Sequence, residues 1–561
     1  MAQPHRASAH AWLAISAVAL CVVAPFLKLG IPSGHDFEFH FNSWIEVAEH
    51  WKQGIFYPRW AAMAHYGYGE ARFIFYPPVS WTLGALLGTF LPWKLVPAAY
   101  IWLVLVLAGY AMFVLARQYL PTKDAIFAAA LYAANPYNLV IVYWRSALAE
   151  LVVAAYLPLM LLLLLRADER DDGREVVIPL SLLVAAGWLT NLPAAVMMNY
   201  SLAVLGCVVA LRGRSVRVLS YAAAPLVVGA MLAGFYLLPA FHQQKWVDIG
   251  QVLAPGVRPE DNFLFRKTED LDHNRFNLLV TVVATFEIAA TAAATLAARR
   301  SQSRKLWALL VAWSVLSVLL MLHPALPLWH FLPKLRFVQL PWRWLLCLGV
   351  PFALATTWSL RNGWARGLLC AAVLAVLALV WHGVQVPWWD NAADIKEMLD
   401  NQSDRIGNEG ADEYVPIGAD SYDVDRNAPL VHFDGEGSAQ IVIHRWFAER
   451  REFLVKANAP GSLTVRLFNY PSWKVSINGR PAGTGRTPHT GLMTIPVAAG
   501  ESLVEIEFAE GWDRMAGIVC SAIAALALWM SWIALRRSKG VRRMAESRWN
   551  DHRSRTASQS T

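Results

Sequence analysis

The residues best equipped for chemistry fall between the first hydrophobic run and the next complete one: Gly34-His-Asp-Phe-Glu-Phe-His40, Tyr57-Pro-Arg-Trp60, Tyr66-Gly-Tyr-Gly69 and Phe75-Tyr-Pro-Pro78. Asp36 and His40 stand four apart, so on a helix they share a face where the imidazole orients the carboxylate or both hold one ligand. The same spacing suits a plain helix start, with Asp36 capping the turn and His40 in water. Glu38 lies between them, and Tyr57, Arg59 and Tyr76 bring rings and a guanidinium to the same loop as candidate substrate-binding residues. Such rings stack on a sugar, grip a prenyl chain, or form the aromatic belt of a membrane interface. In a chain otherwise made of lipid-buried helices, a polar, aromatic loop is the expected place for chemistry on a lipid-borne substrate.

Composition sets the class: 56% of the residues are apolar and 16% charged, and apolar runs long enough to cross a ~30 Å hydrocarbon core recur along the chain. A mainly α, polytopic integral membrane protein follows. About twelve spans are expected, near 11–30, 95–117, 124–141, 147–166, 176–190, 193–212, 217–239, 276–298, 305–322, 341–359, 364–385 and 514–535. The first is too long for a signal-peptide core, lacks a small-residue cleavage site and is kept as an anchor. Alternation then puts the basic segments Arg117 to Lys123, Arg166 to Arg174, Arg212 to Arg217, Arg299 to Lys305 and Arg361 to Arg366, with the tail 537–561, on the cytoplasmic side. This holds only if Val79 to Leu91 does not cross. The tail is basic and expected to be disordered; it suits a membrane surface, and no nucleic-acid partner is expected. All five cysteines fall inside spans, so neither a disulfide framework nor a soluble zinc site is indicated.

With the topology set, Asp36, Glu38, His40, Arg145, Asn191, His242, Lys245, His323, Arg336, Gln339 and Arg343 all come to the outer face. Polar clusters at membrane depth usually mark substrate paths. Glu150 falls just below that face and Glu287 in mid-span, each either a buried partner of a polar group or a participant in chemistry. Asn191, in Thr190-Asn-Leu-Pro193, suits a sugar hydroxyl or a broken helix end.

The elements that must position the loop are legible in part. Ser33 is a fair N-cap, and Phe37, Phe41, Trp44, Ala48 and Trp51 recur at helical steps until Gly54 ends the run after Lys52. Pro58 should open a second short helix ending at Gly67-Tyr-Gly69, and Phe73 to Pro78 should be extended. Residues 386–512 read as an aqueous β-rich domain before the final span, 513–536. Its alternating runs are Gln440–His444, Glu452–Lys456, Leu463–Phe468, Trp473–Ile477 and Leu503–Phe508, with Asn478-Gly479 as a hairpin turn. A small β-sandwich is expected.

The ordered set formed by the Asp36 loop, Tyr57-Pro-Arg-Trp60, Tyr66-Gly-Tyr-Gly69, Phe75-Tyr-Pro-Pro78, Arg145-Ser-Ala-Leu-Ala-Glu150 with Leu157-Pro-Leu, and Gln339-Leu-Pro-Trp-Arg343 resembles the bacterial GT-C-type membrane proteins labelled 6-pyruvoyl-tetrahydropterin-synthase-related. Phe468 to Gly479 is similar to the outer domain of related lipoteichoic-acid-glycosylating membrane proteins. The resemblance implies a GT-C-like module over 1–385 with 32–94 as its catalytic loop, in the bacterial cytoplasmic membrane. It implies a glycosyltransferase that uses a polyprenyl-phosphate sugar and a lipid, glycan or protein acceptor of the envelope among membrane lipids. Asp36 is then the catalytic base, Glu38 the reserve, and His40 their neighbour. The departing lipid phosphate needs cations: Arg336 and Arg343 first, then Arg145 and Lys245, with His242 as a hydrogen-bond donor and Glu150, Asn191 and Gln339 completing the binding set. Taken singly, each cation also reads as a snorkelling interfacial residue. Members of the fold differ in their need for a divalent metal, and beyond Asp36, His40 and Glu150 no compact ligand set stands out. The β-domain binds the acceptor if Trp473 or Tyr470 is exposed, and otherwise roofs the site. The competing readings are a lipid or solute transporter and an inactive envelope-assembly scaffold; a transporter should show internal repeats and polar residues reaching the inner side.

Overall fold

The structure, a computed structural model, describes residues 2–169, 174–213, 216–299 and 304–558. Parts of three basic loops, at 170–173, 214–215 and 300–303, lie outside them, as do Met1 and 559–561. Each of the twelve expected spans is a helix or broken helix. Nine described helices are long and apolar enough to cross a membrane: Ala7–Leu29, Trp93–Ala116, Thr122–Arg145, Leu148–Ala167, Leu192–Gly213, Leu271–Ala298, Arg304–Met321, Gly363–Val384 and Trp512–Arg537. A tenth is a pair, Val216–Leu232 and Gly234–Trp246, bent by 71°. The remaining two, Glu175–Trp188 and Leu345–Ser359, are shorter than a full span. From Trp512 the helix runs to Ser558, so the backbone of the expected irregular tail continues it.

Several spans are interrupted where the sequence demands it. Thr122–Ala133 stops before Asn135-Pro136, because proline removes an amide and its ring clashes with the preceding turn. Asn135 caps the helix that restarts at Pro136, its side chain accepting the Asn138 amide at 2.7 Å. That helix widens into a π-turn over Ile141–Arg145 and ends at Ser146, which is left-handed at φ 51°.

The outer-loop helix Phe37–Lys52 forms as its apolar spacing requires and lies beside the helix Pro78–Phe90, whose 13 residues are too few to cross. Trp44 stacks on Tyr100 with centroids 4.7 Å apart, and a side chain at Gly84 would collide with the indole. Three local expectations are corrected. Asp36, not Ser33, occupies the N-cap, without a side-chain cap bond, because Ser33 is drawn into a short pairing of Ile31–Pro32 with Trp389–Asp390. Pro58 opens no helix; the chain forms a bridge between Ala61 and Glu70 around a turn in which His65 and Tyr66 are both left-handed. Arg72–Phe75 is a helical turn and only Tyr76 and Pro77 are extended, since proline restricts just the residue before it.

The C-terminal domain has two antiparallel sheets. One orders its strands 439–446, 450–457, 500–508, 473–477 and 480–482; the other 431–434, 461–468, 492–497 and 485–486. The expected strands are all present, and Asn478 and Gly479 turn with positive φ between Trp473–Ile477 and Arg480–Ala482. Phe453, Val455, Leu463, Val465, Ile495, Val504 and Ile506 fill a shared core that Trp60, Tyr68 and Phe75 of the outer loop join.

Candidate functional site

Two backbone segments meet at the site. The Gly34 amide donates to Ser146 Oγ at 3.0 Å, that hydroxyl donates to the Pro32 carbonyl at 3.0 Å, and the Asp36 amide donates to the Arg145 carbonyl at 2.9 Å. Only glycine permits this approach at position 34, where a Cβ would overlap the Trp144 carbonyl. The start of the loop helix is thereby fixed to the end of the π-turn.

Below it sits a buried ionic cluster. Arg145 Nη1 donates to Glu150 Oε2 at 2.7 Å and to the Tyr137 hydroxyl at 3.1 Å, and Tyr137 donates to Glu150 Oε1 at 2.7 Å. The Arg145 guanidinium also lies 4.8 Å from the Trp342 ring centre. Arg343, 9% exposed, donates through Nη1 to the Val338 carbonyl and Gln339 Oε1, at 2.8 and 3.1 Å. Its Nε lies 3.2 Å from Glu150 Oε2, an ion pair by distance whose N–H is not aligned as a hydrogen bond, so that donor is unspent. Gln339, at φ 67°, is itself held by the Val252 carbonyl at 2.6 Å. The Asp36 carboxylate is partly exposed, has no hydrogen bond or ion pair among the described residues, and lies within Coulomb reach of both guanidinium groups.

His40 is 2% exposed, wedged among Phe39, Trp44 and Tyr76. Burial, with Arg72 and Arg145 adding to it against the opposing pull of Asp36, lowers its pKa to about 4. The ring is therefore neutral at ordinary pH, and its Nε2 has no partner among the described residues. Tyr76 packs on Phe39 and shares the electrostatic neighbourhood of Asp36, Arg343 and Glu150. Glu38 points outward, its carboxyl raised by partial burial and by Asp390 and Glu409.

Asp36, His40, Tyr76, Arg145, Glu150, Gln339 and Arg343 are thus brought together. The other candidates stand elsewhere, each with a structural partner. Arg59 clasps Glu449 through Nε and Nη2, at 3.2 and 2.6 Å, and Tyr57 packs on Trp81 and Phe235. Asn191 accepts the Ala194 amide as a helix cap. His242 lies against Trp246 and Trp512, and Lys245 over Trp246, beside the final helix. Arg336 pairs with Glu260 at 2.9 Å.

Two participants escape sequence reasoning: Tyr137, hidden in a hydrophobic run with the Asn135-Pro136 break as its only signal, and Arg72. Arg72 is buried, donating to Glu70 at 2.5 Å and Ser43 at 3.0 Å with its guanidinium over Phe39. Burial alone raises the Glu70 carboxyl, but Arg72, His65 and the Ala411 amide bring it below its ordinary value. As for metal, Glu150 is committed to Arg145 and Tyr137, and no three His, Cys, Asp or Glu side chains converge among the described residues. The residues present do not fit a metal centre.

Tyr470 and Trp473, 1% and 4% exposed, offer no open ring faces for an acceptor. They pack with Trp60 and Phe508 at the docking surface, so the β-domain roofs the loop. Among the described residues, cavities away from Asp36 include a small one lined by Tyr57, Arg59 and Arg514, and a groove of about 750 Å³ along the β-domain whose lining combines the buried Tyr470 and Trp473 with Lys474, Arg486 and Glu505.

No curated protein matches the sequence. Among solved structures, the apo oligosaccharyltransferase of Archaeoglobus fulgidus is similar at 13% identity and a TM-score of 0.42, over 72% of this chain and 56% of that one. The chain thus spans little more than half of that protein, and a likeness of this degree carries no inference about activity. Residues 73–387, more than half of the 561, match the family described as the 6-pyruvoyl-tetrahydropterin synthase related domain, a membrane protein, and the chain belongs to that family.

Proposed function

We propose that this protein is a membrane glycosyltransferase that moves a sugar from a polyprenyl-phosphate donor to an envelope acceptor at the outer face of a bacterial cytoplasmic membrane. One observation carries the reading: an uncommitted Asp36 carboxylate is fixed by its own backbone to Arg145, beside a buried Arg343 with an unspent donor. The single carboxylate of Glu150 faces both Arg145 and Arg343, which leaves the two guanidinium groups with an excess positive charge to meet an added anion. In the transfer, an acceptor hydroxyl oxygen attacks the anomeric carbon as the bond from that carbon to the phosphate oxygen breaks. The hydroxyl proton passes to Asp36 and then to water, and the lipid phosphate keeps the electron pair beside Arg343. His40, neutral and packed among Phe39, Trp44 and Tyr76, adds no charge of its own near Asp36, and no step runs through a metal.

The test is Asp36→Asn in full-length protein reconstituted with lipid-phosphate sugars. Transfer should fall by about 10²-fold or more, the range for loss of a general base, while binding of the lipid phosphate persists. Undiminished transfer by the variant would remove Asp36 from the mechanism. Failure of the wild type with every donor, together with movement of lipid or solute across the membrane, would favour the transporter reading.

A further inference from the structure

Glu287 takes no part in the chemistry proposed above, yet a carboxyl in the middle of a span is costly and calls for a reason. It sits in Leu271–Ala298, 0% exposed. Its Oε1 accepts the Tyr137 amide at 3.0 Å; its Oε2 has no partner among the described residues, and no cation pairs with it there. The amide it holds belongs to the second residue of the restarted helix Pro136–Val140. The first amides of a helix have no partner within it. Asn135 accepts that of Asn138, and Glu287 reaches across from another span to accept that of Tyr137. The hydroxyl of the same tyrosine lies between Glu150 and Arg145. Eight residues on, the Arg145 carbonyl receives the Asp36 amide. The segment from Asn135 to Ser146 is thus held at one end by Glu287 and at the other by the catalytic loop.

We propose that Glu287 is a positioning residue: by fixing the Tyr137 backbone it sets the tyrosine hydroxyl, and through it the Glu150–Arg145 pair that faces Arg343 and carries the Asp36 loop. The geometry stands on its own, whereas its bearing on transfer rests on the function proposed above. What the position requires is an accepting oxygen at the reach of a glutamate. Glutamine supplies it and leucine does not, although leucine fills similar space.

The experiment uses the full chain in lipid nanodiscs, as wild type, Glu287→Gln and Glu287→Leu. Two quantities are measured: hydrogen exchange of peptides covering 135–146, and titration with a polyprenyl monophosphate. Glu287→Leu should exchange about tenfold faster over 135–146 and bind the lipid phosphate about tenfold more weakly, the scale of a buried amide left without its acceptor. Glu287→Gln should stay close to wild type on both, because the accepting carbonyl is kept. Wild-type exchange in Glu287→Leu, or equal damage from glutamine and leucine, overturns the proposal. If the wild type binds no lipid phosphate but leucine still loosens 135–146, the positioning role stands and the function proposed above fails. Should Glu287→Leu not insert, Glu287→Asp withdraws the acceptor by one methylene and should show the faster exchange in smaller measure; wild-type exchange in that variant also overturns the role.

Discussion

At the scale of single residues, Arg343 and His40 make the sharpest demands. Arg343 donates through Nη1 to both Val338 and Gln339 while its Nε faces Glu150, a use of the planar fork that lysine cannot copy. Arg343→Lys should therefore weaken lipid-phosphate binding by about tenfold despite the retained charge, and Arg343→Met by about 10²-fold, read by titration of the reconstituted protein. His40 carries a pH dependence whose sign follows from its depressed pKa of about 4. Between about pH 6.5 and 4 the unfolded chain binds a proton that the folded one refuses. The stability associated with the neutral ring is complete above that window and is lost as pH falls through it, by on the order of 3 kcal/mol. Thermal unfolding in detergent should show this slope, and His40→Phe should flatten it. Chemistry at this scale was half legible. Asp36, Arg145 and Arg343 announce themselves as charges in an apolar chain, but Arg59 and Asn191 look the same in sequence and are spent on Glu449 and on a helix cap. What separates the two groups is a partner hundreds of residues away in one case and three residues away in the other, and spacing encodes neither.

At the scale of elements, the broken helix Thr122–Ala133 with its restart at Pro136 and the start of the loop helix Phe37–Lys52 form one joint. Gly34→Ala drives a methyl into the Trp144 carbonyl, and overpacking of this kind costs about 1–3 kcal/mol. The variant should still insert, yet transfer should fall by about tenfold or more as Asp36 is displaced, since misplacement near 1 Å is enough. A wild-type rate would show that the joint tolerates slack. The spans themselves were readable because a hydrocarbon core demands an apolar length, and all twelve expected positions hold helices. The interior of the outer loop was not. Its turns at His65, Tyr66 and Arg72–Phe75 are shaped by partners in the β-domain, among them Arg466, which donates to the Tyr66 carbonyl, and Ala411, which donates to Glu70.

At the scale of the whole molecule, sidedness is the first test. A single cysteine in place of Lys474 should react with an impermeant thiol reagent on intact cells, whereas one in place of Lys123 should react only after permeabilisation, as alternation of the basic loops requires. Reversed labelling would put Asp36 on the cytosolic side. The docking of the β-domain is the second. Arg59 and Glu449 are both largely buried, and removing one partner of such a pair costs up to about 3–5 kcal/mol. Arg59→Ala should make the β-domain more susceptible to limited proteolysis while the spans stay intact.

That docking has a mechanical consequence. The stretch from Gly34 to Arg72 is tethered to the membrane helices at its beginning, through Ser146 and Arg145, and to the β-domain further on, through Arg59, Tyr66, Tyr68 and Glu70. A pull or tilt of the β-domain is therefore delivered along a short cable to the backbone of Asp36, so a load on that domain reaches the residue on which the proposed transfer depends.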